Sequence, residues 1–199
     1  MFKEIPASKK SIARRKPVFG VGTNDADYTI RKQVNGRQTS CPYYVTWRSM
    51  MERCYGDKYQ ARYPTYKGCK VCDEWLRFSA FKAWMMKQDW RGKALDKDIL
   101  KQGNKIYGPQ ACLFITCAIN NLLNNSAAAR GDYPQGVEPL GGKYRARCSN
   151  GGKYKHIGYF STPEQAHEAY KIVKYKVIAK VANKQLEPLK SALLRYKIN

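Results

Sequence analysis

The sequence predicts an α+β protein made of two modules, each of which combines short strands with helices. Apolar residues recur at helical spacing in residues 43–55 and 73–86, whereas residues 133–160 read as short alternating strands. A small-residue stretch at 127–132 lies between these patterns and marks the predicted boundary. A chain of 199 residues is long enough for two small domains. The predicted division is a basic N-terminal arm (1–40), a first module (41–129) and a second module (130–199).

The first 20 residues are polar and basic, and their few apolar side chains follow no helical or strand period. A segment of this kind predicts a flexible arm, which can lie along the phosphates of a nucleic acid. Arg14 and Arg15 are its candidate nucleic-acid contacts.

Two helices are predicted at the start of the first module. The first, over residues 43–55, has an apolar stripe made of Tyr44, Trp47, Met51 and Cys54. Loop signals follow, and the second helix opens at Asp73 or Glu74 with a stripe made of Trp75, Phe78, Phe81 and Met85. Both stripes are typical of core packing, because large apolar side chains at this spacing bury one helix face.

Residues 93–125 read as a short acidic strand, a turn near Gly103, a second apolar strand and a helical run. The acidic strand carries Asp96 and Asp98, and the helix carries Asn120 and Asn121. This order can bring two oxygen ligands within reach of one hard cation such as Mg²⁺. The alternative is a solvated acidic strand whose carboxylates pair with neighbouring lysines.

The second module reads as three strands followed by two helices. The strands cover residues 135–137, 143–148 and 154–160, and Thr162 and Pro163 then start a helix as its cap and first residue. Pro188 opens the last helix. Period-two alternation places basic residues on strand faces, where they are candidate nucleic-acid contacts: Lys143, Arg145 and Arg147 on the middle strand, and Lys153 and Lys155 on the third.

Positive charge is spread along the whole chain. There are 37 basic and 15 acidic side chains, a formal net charge of +22, and residues 1–40, 41–129 and 130–199 carry +6, +7 and +9 of it. This distribution excludes a basic tail on a neutral domain and predicts a wide positive surface. Such a surface attracts phosphates, so nucleic acid is the expected partner, with a merely basic soluble protein as the alternative.

Hydropathy and cysteine content predict the cellular compartment. No run approaches the roughly 18 apolar residues that span a bilayer, and the N-terminus lacks the apolar core of a secretory signal, so we expect a cytoplasmic protein without a membrane partner. The seven cysteines are odd in number and predict reduced thiols. Cys69 and Cys72 have the spacing of a zinc-ligand pair, and a tetrahedral site could be completed from Cys41, Cys54, Cys112 and Cys117. Buried structural thiols are the alternative.

An ordered set of residues covers most of 24–125. It comprises Asn24-Asp25-Ala26-Asp27-Tyr28, Trp47-x-x-Met50-x-x-Arg53-Cys54-Tyr55, Gly68-Cys69-x-Val71-Cys72-x-x-Trp75-x-x-Phe78, Leu95-Asp96-Lys97-Asp98-Ile99, Gly103-Asn104-Lys105-x-Tyr107 and Cys112-x-Phe114 with Asn120. In this set the chain resembles phage-encoded HNH-type endonucleases, including the homing enzymes. The resemblance implies a ββα-metal-type nuclease-like core that holds one Mg²⁺ ion and cleaves DNA.

The same resemblance implies roles for individual residues. Asp96 takes the place of the metal ligand at the end of the first strand, and Asn120 or Asn121 takes that of the helix ligand. Lys97 falls where the family has its general-base histidine, and both histidines of this chain lie in the second module. A lysine acts as a base only when its pKa falls well below about 10.4. Alternatively, Lys97 holds the scissile phosphate while water attacks.

A second set spans about residues 133–182. It comprises Gly136-Val137, Tyr144-Arg145-Ala146-Arg147, Gly158-Tyr159-Phe160, Thr162-Pro163-Glu164-Gln165-Ala166 and Ala169-Tyr170. Here the chain resembles AP2-type DNA-binding domains. The resemblance implies a three-stranded sheet whose exposed face enters the major groove of DNA.

Together the two resemblances imply a phage-encoded, metal-dependent DNA endonuclease or nickase that acts on double-stranded DNA in the host cell and has no small-molecule substrate. One alternative is a catalytically degenerate DNA-binding protein that regulates transcription or inhibits a host protein, since the histidine is missing. An RNA- or ribosome-associated protein is a further alternative, which charge alone suggests.

Overall fold

Helices alternate with small sheets along the chain in the computed structural model, which describes residues 2–124, 131–150 and 152–198. Within these ranges there are seven α-helices and nine short strands, so the predicted α+β class is confirmed. The chain divides into two compact units. Unit 1 comprises residues 1–91 and 103–114, and unit 2 comprises residues 92–102 and 115–199.

This division differs from the predicted modules. Residues 92–102, which contain the acidic strand, group with the C-terminal part of the chain and not with the helices that precede them. The predicted boundary at 127–132 falls mainly on residues 125–130, which lie outside the described residues. Both candidate sites, the acidic strand and the basic strands, therefore belong to unit 2.

Unit 1 begins with a short helix and a hairpin that the sequence pattern did not predict. They are α1 (Lys9–Ala13), β1 (Arg31–Val34) and β2 (Arg37–Ser40). The hairpin turns at Asn35 and Gly36, both of which have positive φ angles of 50° and 73°. This backbone suits a tight two-residue turn, which asparagine and glycine tolerate better than other residues.

The N-terminal residues are also held by Arg15. Its guanidinium donates to the backbone oxygens of Asn24 and Tyr28, both at 3.0 Å, and to that of Ala26. These hydrogen bonds tie residue 15 to the chain at 24–28, and the expectation of a flexible arm stays a prediction. Arg15 is engaged with the fold, whereas Arg14 remains exposed.

The predicted aromatic helices form the core of unit 1. The elements are α2 (Pro42–Tyr55), α3 (Asp57–Arg62), β3 (Lys70–Val71) and α4 (Phe78–Met85), with a 3₁₀ turn at Asp73–Leu76. Trp47 of α2 is fully buried, and its indole nitrogen donates to the backbone oxygen of Trp75 at 2.7 Å. The predicted packing of the aromatic stripes is thus confirmed.

The second of these helices begins later than predicted. Asp25 caps it, since its carboxylate accepts hydrogen bonds from the Ser79 backbone nitrogen at 2.8 Å and the Ser79 hydroxyl at 2.6 Å. Burial raises the pKa of Asp25, but the hydrogen bonds from Ser79 and Arg77 outweigh it and leave the pKa below its ordinary value. This cap lies at the start of α4, and residues 73–76 form a separate 3₁₀ turn before it.

Three strands and a helix follow: β4 (Lys93–Asp96), β5 (Ile106–Tyr107), β6 (Leu113–Thr116) and α5 (Cys117–Leu123). Strand β4 pairs with β6, and α5 packs against β4. The Thr116 side chain caps α5 by accepting from the Ile119 nitrogen at 3.3 Å. Strand β5 joins β3 in a separate parallel pair, a partner that the sequence did not predict.

The C-terminal part of unit 2 has the predicted order of three strands and two helices, although its first strand begins at Val137, two residues later than predicted. It contains β7 (Val137–Leu140), β8 (Lys143–Asn150), β9 (Lys153–Phe160), α6 (Pro163–Ala182) and α7 (Leu189–Leu194). The strands form an antiparallel sheet in the order β7-β8-β9, and α6 packs against it. Thr162 caps α6 as expected. None of the described helices has the length and apolarity that crossing a membrane requires.

Candidate nucleic-acid interface

Helix α6 packs against one side of the β7-β8-β9 sheet, and the described side chains of the opposite side are half-exposed or exposed. Ala146 and Cys148 of β8 are buried on the covered side, where α6 packs. Side chains alternate along a strand, so Arg145 and Arg147 stand on the opposite side. This confirms the predicted alternation of β8.

The strand register adds further residues to the open side. Arg145 lies opposite Tyr159, and Arg147 lies opposite His156 after a bulge at Ala146/Arg147. Directly opposed residues of an antiparallel pair share one side of the sheet. We call this surface the open face; it comprises Glu138, Lys143, Arg145, Arg147, Tyr154, His156 and Tyr159.

The register separates the two predicted groups of basic residues. Lys155 lies opposite Cys148, so its Cα–Cβ direction is that of the covered side, although the side chain is exposed. The side chain of Lys153 lies outside the described part of the chain. The basic residues of the open face are therefore those of β8, while β9 contributes aromatic rings.

Glu138 of β7 joins the two arginines. Its Oε1 atom is paired with Arg145, and its Oε2 atom lies 2.9 Å from Nη2 of Arg147. Because one carboxylate binds both guanidiniums, it fixes their positions side by side and neutralises part of their charge. Sequence alternation alone did not identify Glu138, since its role depends on the pairing of β7 with β8.

Aromatic rings flank this group. Arg147 lies over the Tyr154 ring at 4.6 Å, and the rings of His156 and Tyr159 are 4.8 Å apart. Tyr154 and Tyr159 are 67% and 54% exposed, so most of each ring surface is open to a partner. Exposed aromatic residues beside arginine are typical of surfaces that contact nucleic-acid bases.

The other histidine has a packing role. His167 of α6 contacts the backbone oxygen of Gln135 at 2.9 Å through Nδ1 and stacks on the Tyr170 ring. Its position on the covered side explains why it does not contribute to the open face.

The second candidate site is the turn that follows β4. Asp96 Oδ1 accepts hydrogen bonds from the backbone nitrogens of Asp98 and Ile99 at 3.0 and 2.7 Å. Lys97 Nζ lies 3.0 Å from Asp98 Oδ2, and only 9% of the Lys97 side chain is exposed. We call residues 96–99 the acidic turn.

The electrostatics of the acidic turn oppose the base role of Lys97. Burial raises the pKa of Asp96 and nearby Asp98 raises it further, while the backbone hydrogen bonds act against this rise. Lys97 Nζ is paired with Asp98 Oδ2, and an ammonium has no lone pair with which to accept a proton. A general base needs that lone pair, so this contact is unfavourable for the predicted chemistry.

The predicted helix ligands lie on the outside of α5. Asn120 and Asn121 are both exposed, whereas Ile119 is buried. In the part of the chain that the structure describes, the hydrogen bonds of Asp96 go to its own turn and none joins it to these amides. Mg²⁺ prefers several oxygen donors arranged around it, and these residues do not form such a set in advance.

The predicted zinc ligands also lack a completed site. Cys69 is buried and Cys72 is half-buried; burial raises the pKa of Cys72, which opposes the thiolate form that zinc binds. Across residues 2–124, 131–150 and 152–198, no three histidine, cysteine or acidic side chains come together in a way that would hold a metal. Zinc binding by this pair stays a prediction.

The C-terminal segment is hydrogen-bonded to Gln102 and to the end of α5. The Tyr196 hydroxyl donates to the Leu123 oxygen at 3.1 Å, and the Gln102 side-chain amide exchanges two hydrogen bonds with the Lys197 backbone at 2.8 and 2.9 Å. Burial raises the pKa of Tyr196, and the negative charge of Asp98 contributes to the rise. The sequence did not predict that the C-terminal segment is hydrogen-bonded to residues 102 and 123.

Comparison of the chain with protein-family models, with curated proteins and with solved structures found no match in any of the three. The two family resemblances therefore remain predictions that depend on the residue sets within 24–125 and 133–182. The open face and the acidic turn are the two surfaces from which a function can be inferred.

Proposed function

We propose that this chain is a double-stranded DNA-binding protein that contacts DNA through the open face. The observation that carries the proposal is the pair Arg145 and Arg147, which Glu138 holds side by side next to exposed aromatic rings. A guanidinium can donate two parallel hydrogen bonds to guanine, the commonest specific contact in the major groove. The net charge of +22 adds attraction to phosphates without sequence preference.

The exposed tyrosines also suit single strands, whose bases can stack on aromatic rings, so RNA is the competing partner. A labelled duplex of about 20 base pairs, bound to the whole protein at about 0.15 M salt, separates these possibilities by competition. We expect unlabelled duplex DNA to compete better than single-stranded DNA or double-stranded RNA of the same length. Equal or better competition by either of the latter would contradict the proposal.

A metal-dependent endonuclease or nickase is the second candidate. The arrangement of β4, β6 and α5, with Asp96 at the end of β4, favours it because this is the order that the nuclease resemblance implies. The ion pair of Lys97 with Asp98 argues against it. A DNA-binding protein with a degenerate nuclease core, acting on transcription or on a host protein, is therefore better supported than an active enzyme; its phage origin stays a prediction.

Plasmid nicking decides between these two. With supercoiled plasmid and Mg²⁺ or Mn²⁺, we expect the unaltered protein to nick no faster than an Asp96→Ala variant, because Lys97, at the position of the general base, is paired with Asp98. Asp57→Ala, which removes an exposed carboxylate from α3, is the matched control. Nicking by the unaltered protein and by Asp57→Ala, but not by Asp96→Ala, would establish the enzyme and refute a degenerate core.

A further inference from the structure

A second group of exposed basic residues lies in unit 1, in and after α3. No acidic residue occurs between positions 58 and 70, and the nearest carboxylates along the chain are those of Asp57 and Asp73 at the two ends of this stretch. Its cations and that of Lys105 are exposed, and none of them takes part in an ion pair within the described residues. We call this surface the basic turn; it comprises Lys58, Arg62, Tyr63, Lys67, Lys70 and Lys105.

Hydrogen bonds bring the separate parts of the basic turn together. Strand β5 pairs with β3, and the Lys70 nitrogen donates to the Lys105 oxygen at 2.8 Å. The Lys105 ammonium donates to the Thr65 oxygen at 2.7 Å. Lys58 and Arg62 are four residues apart on α3, which places them on one side of that helix. The cations therefore belong to one surface, although Lys105 is distant from the others in the sequence.

Aromatic packing and a side-chain amide hold this segment in place. The Tyr59 ring packs against those of Tyr63 and Tyr66, with ring centroids 4.8 and 5.6 Å apart. The Gln60 amide donates to the backbone oxygen of Cys54 at 2.6 Å, which ties α3 to the end of α2. The cations thus stand on an ordered backbone, so a partner does not have to order the segment on binding.

Tyr63 adds an aromatic ring to the surface. It is 41% exposed, and the Arg62 guanidinium lies over its ring at 5.4 Å. A guanidinium beside a ring still presents N–H groups at its edge, and two of them match the oxygens of one phosphate. The four lysines offer compact ammonium charges, which also bind phosphate.

We propose that the basic turn is a second DNA-contacting surface, which binds phosphates of the duplex backbone and not base edges. Contacts from cations to phosphates fix a protein on the duplex without reading its sequence. The inference rests on the proposed function, because it takes duplex DNA as the partner. It assigns part of the affinity to unit 1 and leaves sequence preference to the open face of unit 2.

Protection of lysines from acetylation tests this on the unaltered protein. The whole chain is treated with an amine-acetylating reagent at about 0.15 M salt, with and without a duplex of about 20 base pairs, and peptide mass spectrometry measures each lysine. We expect saturating duplex to slow acetylation of Lys67 and Lys70 at least about threefold. Lys87, which is exposed in the same unit outside the basic turn, is the internal control and should change little.

The same measurement separates this inference from the proposed function, since Lys143 reports on the open face. Protection of Lys143 without protection of Lys67 and Lys70 would overturn the role of the basic turn and leave the proposed function intact. Protection of Lys67 and Lys70 without Lys143 would support the basic turn and contradict binding through the open face. Equal protection of Lys87 would mean that charge alone draws DNA to every exposed lysine, which overturns the inference.

A charge-removing variant gives a second, independent readout. Arg62→Gln, Lys67→Gln and Lys70→Gln are combined in one chain, and the control combines Arg31→Gln, Arg37→Gln and Lys87→Gln, which are also exposed positions of unit 1. Each phosphate contact contributes about 0.9 to the slope of log K against log salt, so the first variant should lower the slope by about 2–3. No change, or the same change in the control, would overturn the inference. If the first variant does not fold, the acetylation result decides.

Discussion

Replacing both Arg145 and Arg147 with alanine is expected to weaken binding of duplex DNA by about 100-fold or more. Each arginine that contacts a base with two hydrogen bonds contributes about 1–3 kcal/mol of discrimination, so losing two contacts gives an effect of this order. The salt dependence tells which contacts are lost. If both guanidiniums bind phosphates, the slope of log K against log salt falls by about two; if they bind bases, the slope changes little.

A matched pair of lysines controls for charge. Lys176 and Lys180 are exposed positions of α6, the helix that covers the other side of the sheet, and their double alanine variant removes the same charge. The arginine variant is also made with Glu138→Gln, so that no carboxylate is left unpaired on the open face. Equal weakening by the lysine and arginine pairs would mean that total charge alone governs binding, and the open face would lose its assigned role.

The parts of the fold that the sequence predicted are those with local signals. Helix α6 begins where Thr162 and Pro163 predict it, because a capping side chain and a proline act within one turn. Strand β8 was predicted from alternation, since its buried Ala146 and Cys148 alternate with arginines. The same holds for the aromatic stripe of α2, whose helical spacing identifies the buried side.

The parts of the fold that the sequence did not predict depend on contacts with residues far along the chain. Helix α4 begins at Phe78 because Asp25 caps it, and β5 finds its partner in β3. Neither contact has a local signature. The β1-β2 hairpin is different, because Asn35-Gly36 is a strong turn signal that sequence reasoning overlooked.

The candidate sites also combine features that a local sequence pattern predicts with features that depend on contacts between distant residues. Alternation predicted that Arg145 and Arg147 share a face, but the pairing of Glu138 with both depends on strand register. The sequence placed Lys97 at the position of a catalytic base by resemblance. Its burial and its ion pair with Asp98 come only from the fold around it.

Gly136→Ala is expected to destabilise unit 2 by about 2–5 kcal/mol. Gly136 has a φ angle of +82°, and a methyl group there would overlap the buried Tyr170 ring, 2.6 Å from its Cε2 atom. A left-handed backbone costs a non-glycine residue about 1–2 kcal/mol, and overpacking adds about 1–3 kcal/mol. The Gly136 oxygen also accepts from the Arg147 nitrogen at 2.9 Å, so the same strain reaches the open face.

Gly142→Ala separates the two causes. Gly142 has a φ angle of +74°, but a methyl group there meets no atom within 4 Å, so this variant tests backbone strain alone. Urea unfolding, monitored by far-ultraviolet circular dichroism, gives the change in stability. Tryptophan emission, recorded in the same titration, reports on unit 1 alone, because unit 1 contains all four tryptophans. We expect Gly142→Ala to cost only about 1–2 kcal/mol. Equal losses of stability at both positions would mean that the Tyr170 ring moves aside without an energetic penalty. Gly136 would then be required for its backbone angle and not for the close approach of α6.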